Sequence, residues 1–401
     1  MNKLKIGILT YHSEMNYGCT LQAFAMQEAY KELGQNPVII DRYITPDNRL
    51  LLGHLTDTGL KSRLISLYMC FFSIGRASNI LRVLKTLRFH KKYLHTTDYS
   101  FYDWKDAPAD LGVDMISVGS DQIWNANLYS PVPYLLKDIN PSIPGISYAA
   151  SIGMPELMPK YLEEYRRGFA RFKAISVREQ QGVRLVEDLG FKAEKVVDPT
   201  LLVSPELWDK FKCKRKHKRK RLLCYTIAEK LFDLLPVLED YARRNNCDVI
   251  VFPDRFEKYF CRSANGIKEL IRDKTRLFKS PVKIYISAAI KDFMREISAA
   301  DWIVTNSYHA LMFSIIYNRN VRVIVPTDNV RKEMHARMKE FEGSVIEGPL
   351  MQSDIQGALR SFEKGEKTTI NLDELNRRRE LSRQWLENQL RNIADNKAAE
   401  C

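Results

Sequence analysis

The sequence has no apolar run of the roughly 18 residues that a membrane-crossing helix needs. It has no C-x-x-C pair. Its 7 cysteines (Cys19, Cys70, Cys213, Cys224, Cys247, Cys261, Cys401) are scattered and odd in number, which argues against a zinc site or a disulfide framework. No G-x-G-x-x-G fingerprint follows the first strand-like run, so a dinucleotide is not indicated. Residues 1–14, MNKLKIGILTYHSE, lack the apolar core and cleavage site of a secretory signal. The expected location is the cytoplasm. Two stretches lack acid altogether. Between Thr58 and Thr97 stand eight Lys/Arg (Lys61, Arg63, Arg76, Arg82, Lys85, Arg88, Lys91, Lys92) and no Asp or Glu. From Lys210 to Arg221 there are nine, again without an acid. These stretches are concentrated sources of the net charge of +13. Such runs act as solvated faces or linkers, or meet nucleic acid or an anionic membrane. They lack the repeated aromatic stacking positions of a nucleic-acid surface, so nucleic acid ranks last.

What is present is ordinary globular material: 401 residues, 45% hydrophobic and 28% charged, a length that suggests two domains. Strands are expected at 6–10 and 37–40 around a helix at 18–33, whose Leu21, Ala25, Ala29 and Leu33 form an apolar stripe. Residues 42–100 look like a basic amphipathic insertion, either packed on the domain or lying on a membrane with Lys/Arg towards lipid phosphates. Strands at 115–118, 146–150, 174–177 and 195–197 alternate with helices at 155–172 and 180–189. This gives an N-terminal α/β domain over 1–204, then a basic linker at 205–221. A C-terminal α/β domain over 222–370 repeats the alternation. A helix in 371–401 is expected to pack back on the first domain. The expected fold class is α/β, with two Rossmann-like doubly wound domains facing a cleft, a glycosyltransferase-B-like architecture.

Residues 301–325, DWIVTNSYHALMFSIIYNRNVRVIV, form a complete strand–turn–helix–strand unit. Asn306 and Ser307 are N-cap residue types. His309 is the one residue that does not suit a plain core. It sits in the first helical turn after a strand, where free N–H groups and the helix dipole favour an anion. Other polar residues also fall at expected strand ends: Asp121 and Gln122, Arg178 and Glu179, and Asp198. Each suits a turn. Together they would line one sheet edge. His12, His54, His90, His95, His217 and His335 lack comparable context.

These residues carry a resemblance to the polysaccharide pyruvyl transferase family. The matching pieces are NYGCTLQAFAMQ (16–27), SVGSDQIWN (117–125), ISYAASIG (146–153), ISVREQQG (175–182), VVDPTLL (196–202), ADWIVTNSYHALMFSII (300–316) and HARMKEF (335–341). The resemblance implies pyruvyl transfer from phosphoenolpyruvate, as co-substrate, to two hydroxyls of a sugar, giving a cyclic ketal in a surface polysaccharide. It implies His309 and Asp121 as catalytic groups, and Arg178, Arg337, Ser307 and Asn306 as donor-binding. Asn16, Tyr17, Gln22, Gln122 and Glu179 would serve the acceptor. Arginine forks suit a phosphate and a carboxylate, and histidine suits acid–base work near neutrality. The mechanism requires no metal and no further cofactor. The basic 58–97 segment points to an acceptor on a membrane-bound polyprenyl diphosphate, with the protein peripheral on the inner face of the cell membrane. One position departs from the pattern. Ser307 stands where many members have Arg two positions before the histidine, and a neutral Ser brings no charge to a phosphate. A nucleotide-sugar glycosyltransferase and a non-catalytic carbohydrate-binding protein on the same fold remain open alternatives.

Overall fold

The computed structural model describes residues 3–13, 16–44, 74–215, 217–227, 231–253, 279–325 and 337–400. Residues 45–73 of the expected insertion and His335 lie outside them, as does most of 254–282. The described residues fall into two compact units. The first takes those within Met1–Leu51, His90–Leu207 and Leu372–Cys401; the second takes those within Leu52–Phe89 and Trp208–Asn371. The described part of the insertion up to Phe89 therefore groups with the second unit.

The first unit runs β1 (Lys5–Leu9), α1 (Tyr17–Glu32), β2 (Asn36–Arg42), then the last turn of α2 (Ile74–Tyr93). It continues through β3 (Thr96–Phe101), β4 (Met115–Val118), β5 (Gly145–Ala150), α3 (Leu162–Phe169), β6 (Phe172–Val177), α4 (Gln180–Glu187), β7 (Glu194–Lys195) and α5 (Pro199–Leu202). The strands form one parallel sheet in the order β3-β2-β1-β4-β5-β6-β7. β4 and β5 are buried at every position, as strands covered on both faces must be. β3 escapes the sequence pattern because TTDYSF is polar and lies at the sheet edge, with alternate residues exposed. The helix expected at 155–172 is cut to Leu162–Phe169. Pro159 starts a separate 3-10 turn, Pro159–Tyr161, ahead of it, because proline has no N–H for a helical ladder.

The second unit contains β8 (Arg221–Thr226), α6 (Leu231–Arg244), β9 (Asp248–Pro253), β10 (Lys283–Ile284), α7 (Ile290–Ala299), β11 (Trp302–Thr305), α8 (Tyr308–Ile316) and β12 (Asn320–Ile324). It ends with β13 (Ile346–Glu347), β14 (Met351–Gln352), α9 (Ile355–Glu363) and β15 (Thr369–Ile370). Its parallel sheet runs β10-β9-β8-β11-β12-β14. Both sheets are thus doubly wound, and strand order reverses between β1 and β4 in one and between β8 and β11 in the other. Open α/β sheets bind ligands beyond the strand ends at such reversals. β14 is too short for a strand pattern. α9 has a local signal, Asp354, whose side chain caps it by accepting from Gly357 N at 2.7 Å.

The all-apolar α8 is buried from Tyr308 to Ile315. Its Phe313 meets the fully buried Trp208 edge-on, with centroids 4.9 Å apart. Arg322 in β12 is also fully buried. Its Nε donates to Ser361 Oγ at 2.8 Å and another nitrogen to Glu366 O at 3.0 Å, which ties β12 to α9 and the turn after it. Burial lowers its pKa to about 10, so it remains a cation at neutral pH. The C-terminal α10 (Leu372–Glu400) belongs to the first unit. Arg379 Nε donates to Leu201 O at 2.7 Å, and Ser382 Oγ accepts from Val197 N at 3.0 Å. Trp208→Ala should destabilise the second unit by about 3–5 kcal/mol, read from urea unfolding followed by circular dichroism. A loss under about 1 kcal/mol would mean that Trp208 does not anchor this core.

Candidate functional site

In the first unit, four segments deliver polar side chains to the C-terminal edge of the sheet. Asp121 follows β4, Arg178 and Glu179 follow β6, Asp198 follows β7, and Cys19 and Gln22 come from the first turns of α1. The Arg178 guanidinium lies 3.1 Å from Asp198 Oδ2, 3.7 Å from Asp121 Oδ1 and 3.8 Å from Glu179 Oε2. Asp198 also accepts the hydroxyls of Ser120 (3.0 Å) and Thr200 (2.7 Å) and the Thr200 amide (3.0 Å). Glu179 Oε1 accepts from Ser151 Oγ, Ile152 N and Gly153 N at 2.8–3.0 Å, so this carboxylate fixes the loop after β5. Asp121 has a left-handed backbone (φ 70°), which Asp tolerates better than most residues. Its carboxylate accepts the Cys19 thiol at 3.0 Å and the Gln122 amide at 2.8 Å.

The remaining first-unit candidates are mostly committed to holding this edge together. Asn16 caps α1 by accepting from Gly18 N at 2.8 Å. Tyr17 is buried in the first turn of the same helix. The Gln22 amide nitrogen reaches Thr10 Oγ1, Tyr11 O and Cys19 O at 2.7–3.0 Å, and its oxygen accepts from Ser120 N at 3.3 Å. It is fully buried and joins the ends of β1 and β4. Gln122 Oε1 accepts from Asn125 Nδ2 at 2.6 Å.

In the second unit, Asn306 Oδ1 accepts from Ile227 N at 2.6 Å and its Nδ2 donates to Ile227 O at 3.0 Å. One amide therefore bonds the end of β8 from the end of β11. Thr305 Oγ1 accepts from Ser307 N at 3.0 Å and donates to Tyr225 O at 2.6 Å, which fixes the turn. Ser307 is the N-cap of α8, with Ala310 N at 3.5 Å from its hydroxyl. His309 follows in the first turn, 7% exposed. The Tyr308 ring stands edge-on to the His309 imidazole, with centroids 5.4 Å apart. Arg337 lies over the Tyr308 ring, its guanidinium carbon 4.9 Å from the centroid. The fold thus brings Arg337 to the Ser307–Tyr308–His309 turn. A guanidinium, an imidazole and a helix N-terminus together suit an oxyanion. Among the described residues, no group of three His, Cys, Asp or Glu could hold a metal ion, and no helix is long and apolar enough to cross a membrane.

The model of the family described as polysaccharide pyruvyl transferase matches residues 16–329. The chain belongs to this family. No curated protein matches it. Among solved structures it is similar to the UDP-N-acetylglucosamine 2-epimerase from Rickettsia bellii, at 11% identity and TM-score 0.49, covering 98% of each chain. The UDP-GlcNAc 2-epimerase from Neisseria meningitidis bound to UDP-GlcNAc gives 11% identity and TM-score 0.48, covering 95% of this chain and 94% of that one. MurG from Acinetobacter baumannii gives 12% and 0.41, covering 96% and 95%.

The fold also brings together groups that the sequence motifs leave unmarked. Asp198 lies in a matching motif, yet only the fold shows that it clamps Arg178. His12, set aside on sequence, directly follows β1. Its Nδ1 lies 3.2 Å from Thr10 O and its Nε2 2.9 Å from Asp41 Oδ1. Both partners are oxygens that accept hydrogen bonds. His90 is near by, with Nε2 2.9 Å from Thr20 Oγ1. Burial, followed by the charge of His12, lowers its pKa from 6.5 to about 4. A histidine whose folded pKa is depressed stabilises the fold fully above the unfolded value and loses that contribution as pH falls through the folded one. Stability should therefore decline between about pH 6.5 and 4. His90→Asn should flatten part of that slope in urea titrations across this range, and an unchanged slope would remove His90 as its source.

Proposed function

We propose that this chain transfers the pyruvyl group of phosphoenolpyruvate to two hydroxyls of a sugar, forming a cyclic ketal in surface polysaccharide biosynthesis. Family membership supports the reaction class. The observation that carries the residue assignment is the Ser307–Tyr308–His309 turn with Arg337 stacked on Tyr308. In this reading His309 protonates the methylene carbon of the donor, which leaves the central carbon cationic. A sugar hydroxyl attacks that carbon while Asp121 takes its proton. The C–O bond to phosphate breaks, with the electron pair leaving on phosphate, and the second hydroxyl closes the ring as its proton passes to His309, which had given up its own. Arg337 and the first-turn amides of α8 face the donor's negative charge. Ser307 caps that helix and Asn306 sets the turn. The step uses no metal or cofactor beyond the co-substrate.

The acceptor in this reading is a galactose-type sugar carried on a polyprenyl diphosphate. α2 supports a peripheral place on an anionic membrane: Leu81 and Leu84 are exposed on it, as are Arg88, Lys91 and Lys92. Salt-sensitive binding to phosphatidylglycerol vesicles, with none to duplex DNA, is the expected result. A glycosyltransferase using a nucleotide sugar is the second reading; a non-catalytic carbohydrate-binding protein on the same fold is the one that the neutral Ser307 favours. Thermal stabilisation by a nucleoside diphosphate and none by phosphoenolpyruvate would select the glycosyltransferase.

The central test is phosphate release from phosphoenolpyruvate in the presence of lipid-linked galactosides. His309→Ala should lower turnover by about a hundredfold or more while leaving the melting temperature near that of the parent. Retained turnover in this variant would remove His309 from the chemistry.

A further inference from the structure

We propose that Arg42, with the exposed rings of Tyr102 and Tyr129 in its cluster, forms a subsite for a glycosyl phosphate. The group bound there is the phosphate that links the acceptor sugar to its carrier. The choice of sugar rests on the pyruvyl-transfer reading; the subsite itself is built within the first unit.

Arg42 ends β2 and is only 5% exposed. Its Nη1 donates to Tyr134 Oη at 3.2 Å, and its Nε is buried without a hydrogen-bond partner. Among the described residues, no carboxylate oxygen comes within 4 Å of its nitrogens. The other buried arginines are better provided. Arg221 lies 2.9 Å from Glu296 Oε2, and Arg178 donates to Asp198 at 3.1 Å. Arg322 donates to Ser361, Asn320, Val321 O and Glu366 O at 2.8–3.0 Å. Asp103, in the turn after β3, does sense Arg42. Its carboxyl is held below the usual range first by the Lys105 amide and least by Arg42. A buried charge without a counter-ion is costly. The rings of Tyr134 and Tyr102, whose centroids lie 5.2 and 5.7 Å from the guanidinium carbon, offset part of that cost. A phosphate offsets more, because a guanidinium binds it through charge-assisted hydrogen bonds.

The place suits a ligand. Tyr11 follows β1, Arg42 ends β2, Tyr102 follows β3, and Tyr129 and Tyr134 lie in the segment after β4. These four strands are neighbours in the sheet, so their ends meet in one cluster. Tyr11 stands edge-on to Tyr134 and Tyr129, with centroids 5.2 and 5.8 Å apart. This is the C-terminal edge, where open α/β sheets hold their ligands. Tyr102 is 42% exposed and Tyr129 36%. Exposed tyrosines beside a cation offer an apolar face to a sugar ring and a hydroxyl to its edge. Phosphate alone would use neither ring.

The test uses the full chain and calorimetry with galactose 1-phosphate, methyl galactoside, inorganic phosphate, galacturonate and phosphoenolpyruvate. Galactose 1-phosphate should bind most tightly. Arg42→Met should raise its Kd by about tenfold or more and leave that of methyl galactoside within about twofold. Tyr102→Ala, at an exposed ring, should weaken both sugars by about threefold or more. Arg42→Met should also keep the melting temperature of the parent, because an apolar side chain of similar length replaces a charge without a counter-ion. If Arg42→Met does not fold, Arg42→Lys takes its place in the binding series, with the same direction expected. A lowered melting temperature with unchanged galactose 1-phosphate affinity would make Arg42 a strut between two rings and overturn the proposal. No binding of galactose 1-phosphate by the parent, or equal binding of inorganic phosphate, also overturns it. So does a loss confined to phosphoenolpyruvate, and galacturonate binding as tightly would replace the phosphate by a sugar carboxylate. If the expected binding is found but no lipid-linked galactoside releases phosphate from phosphoenolpyruvate, the subsite stands and the pyruvyl-transfer reading fails.

Discussion

Where a doubly wound sheet reverses its strand order, the chains leaving two neighbouring parallel strands turn away from each other. Their last backbone groups then have no ladder partners, although they lie too deep for water to satisfy them all. Each unit of this protein meets that constraint with one amide side chain. Gln22 in the first unit bonds residues after β1 and the Ser120 amide after β4. Asn306 in the second bonds both the N–H and the C=O of Ile227 from the end of β11. An amide suits this position because it both donates and accepts. Everything polar at the two edges is hung from these joints.

The joints also explain why the edges can hold unlike chemistry. In the first unit Ser120, which Gln22 holds through its amide, donates its hydroxyl to Asp198, the carboxylate bonded to Arg178. In the second, the segment after Asn306 runs directly into an apolar helix. Among the described residues, the cap Ser307, the imidazole of His309 and the guanidinium of Arg337 bring polar groups to its first turn. The first edge is rich in hydrogen-bond acceptors, and the second carries donors.

Much of this was legible in residue order. Alternating apolar runs and amphipathic segments marked β1, β4, β6, β11 and the helices between them, because strands covered on both faces and helices on one leave distinct periods. The family motifs marked Asp121, Arg178 and His309. What sequence left obscure had physical reasons. β3 is an edge strand with a polar face, and β14 has only two residues. ISVREQQG marks Arg178 as a donor-binding candidate; that carboxylates from residues 121 and 198 lie beside it is visible only after folding. Gln22 and Glu179 suggested ligand contacts for the same reason; the structure gives the Gln22 amide and one Glu179 oxygen to the backbone. His12 carried no motif, because its partner Asp41 sits on a different strand.

α10 has a consequence for how the chain is made. The backbone groups of Val197 and Leu201, beside the Arg178 network, are satisfied by Ser382 and Arg379, about 180 residues later. At ordinary translation rates those partners leave the ribosome roughly ten to forty seconds after the strands they seal. During that interval the first unit lacks its C-terminal helix, while residues 208–371 of the second unit are being synthesised. The second unit can therefore be complete while Val197 N and Leu201 O still await their partners.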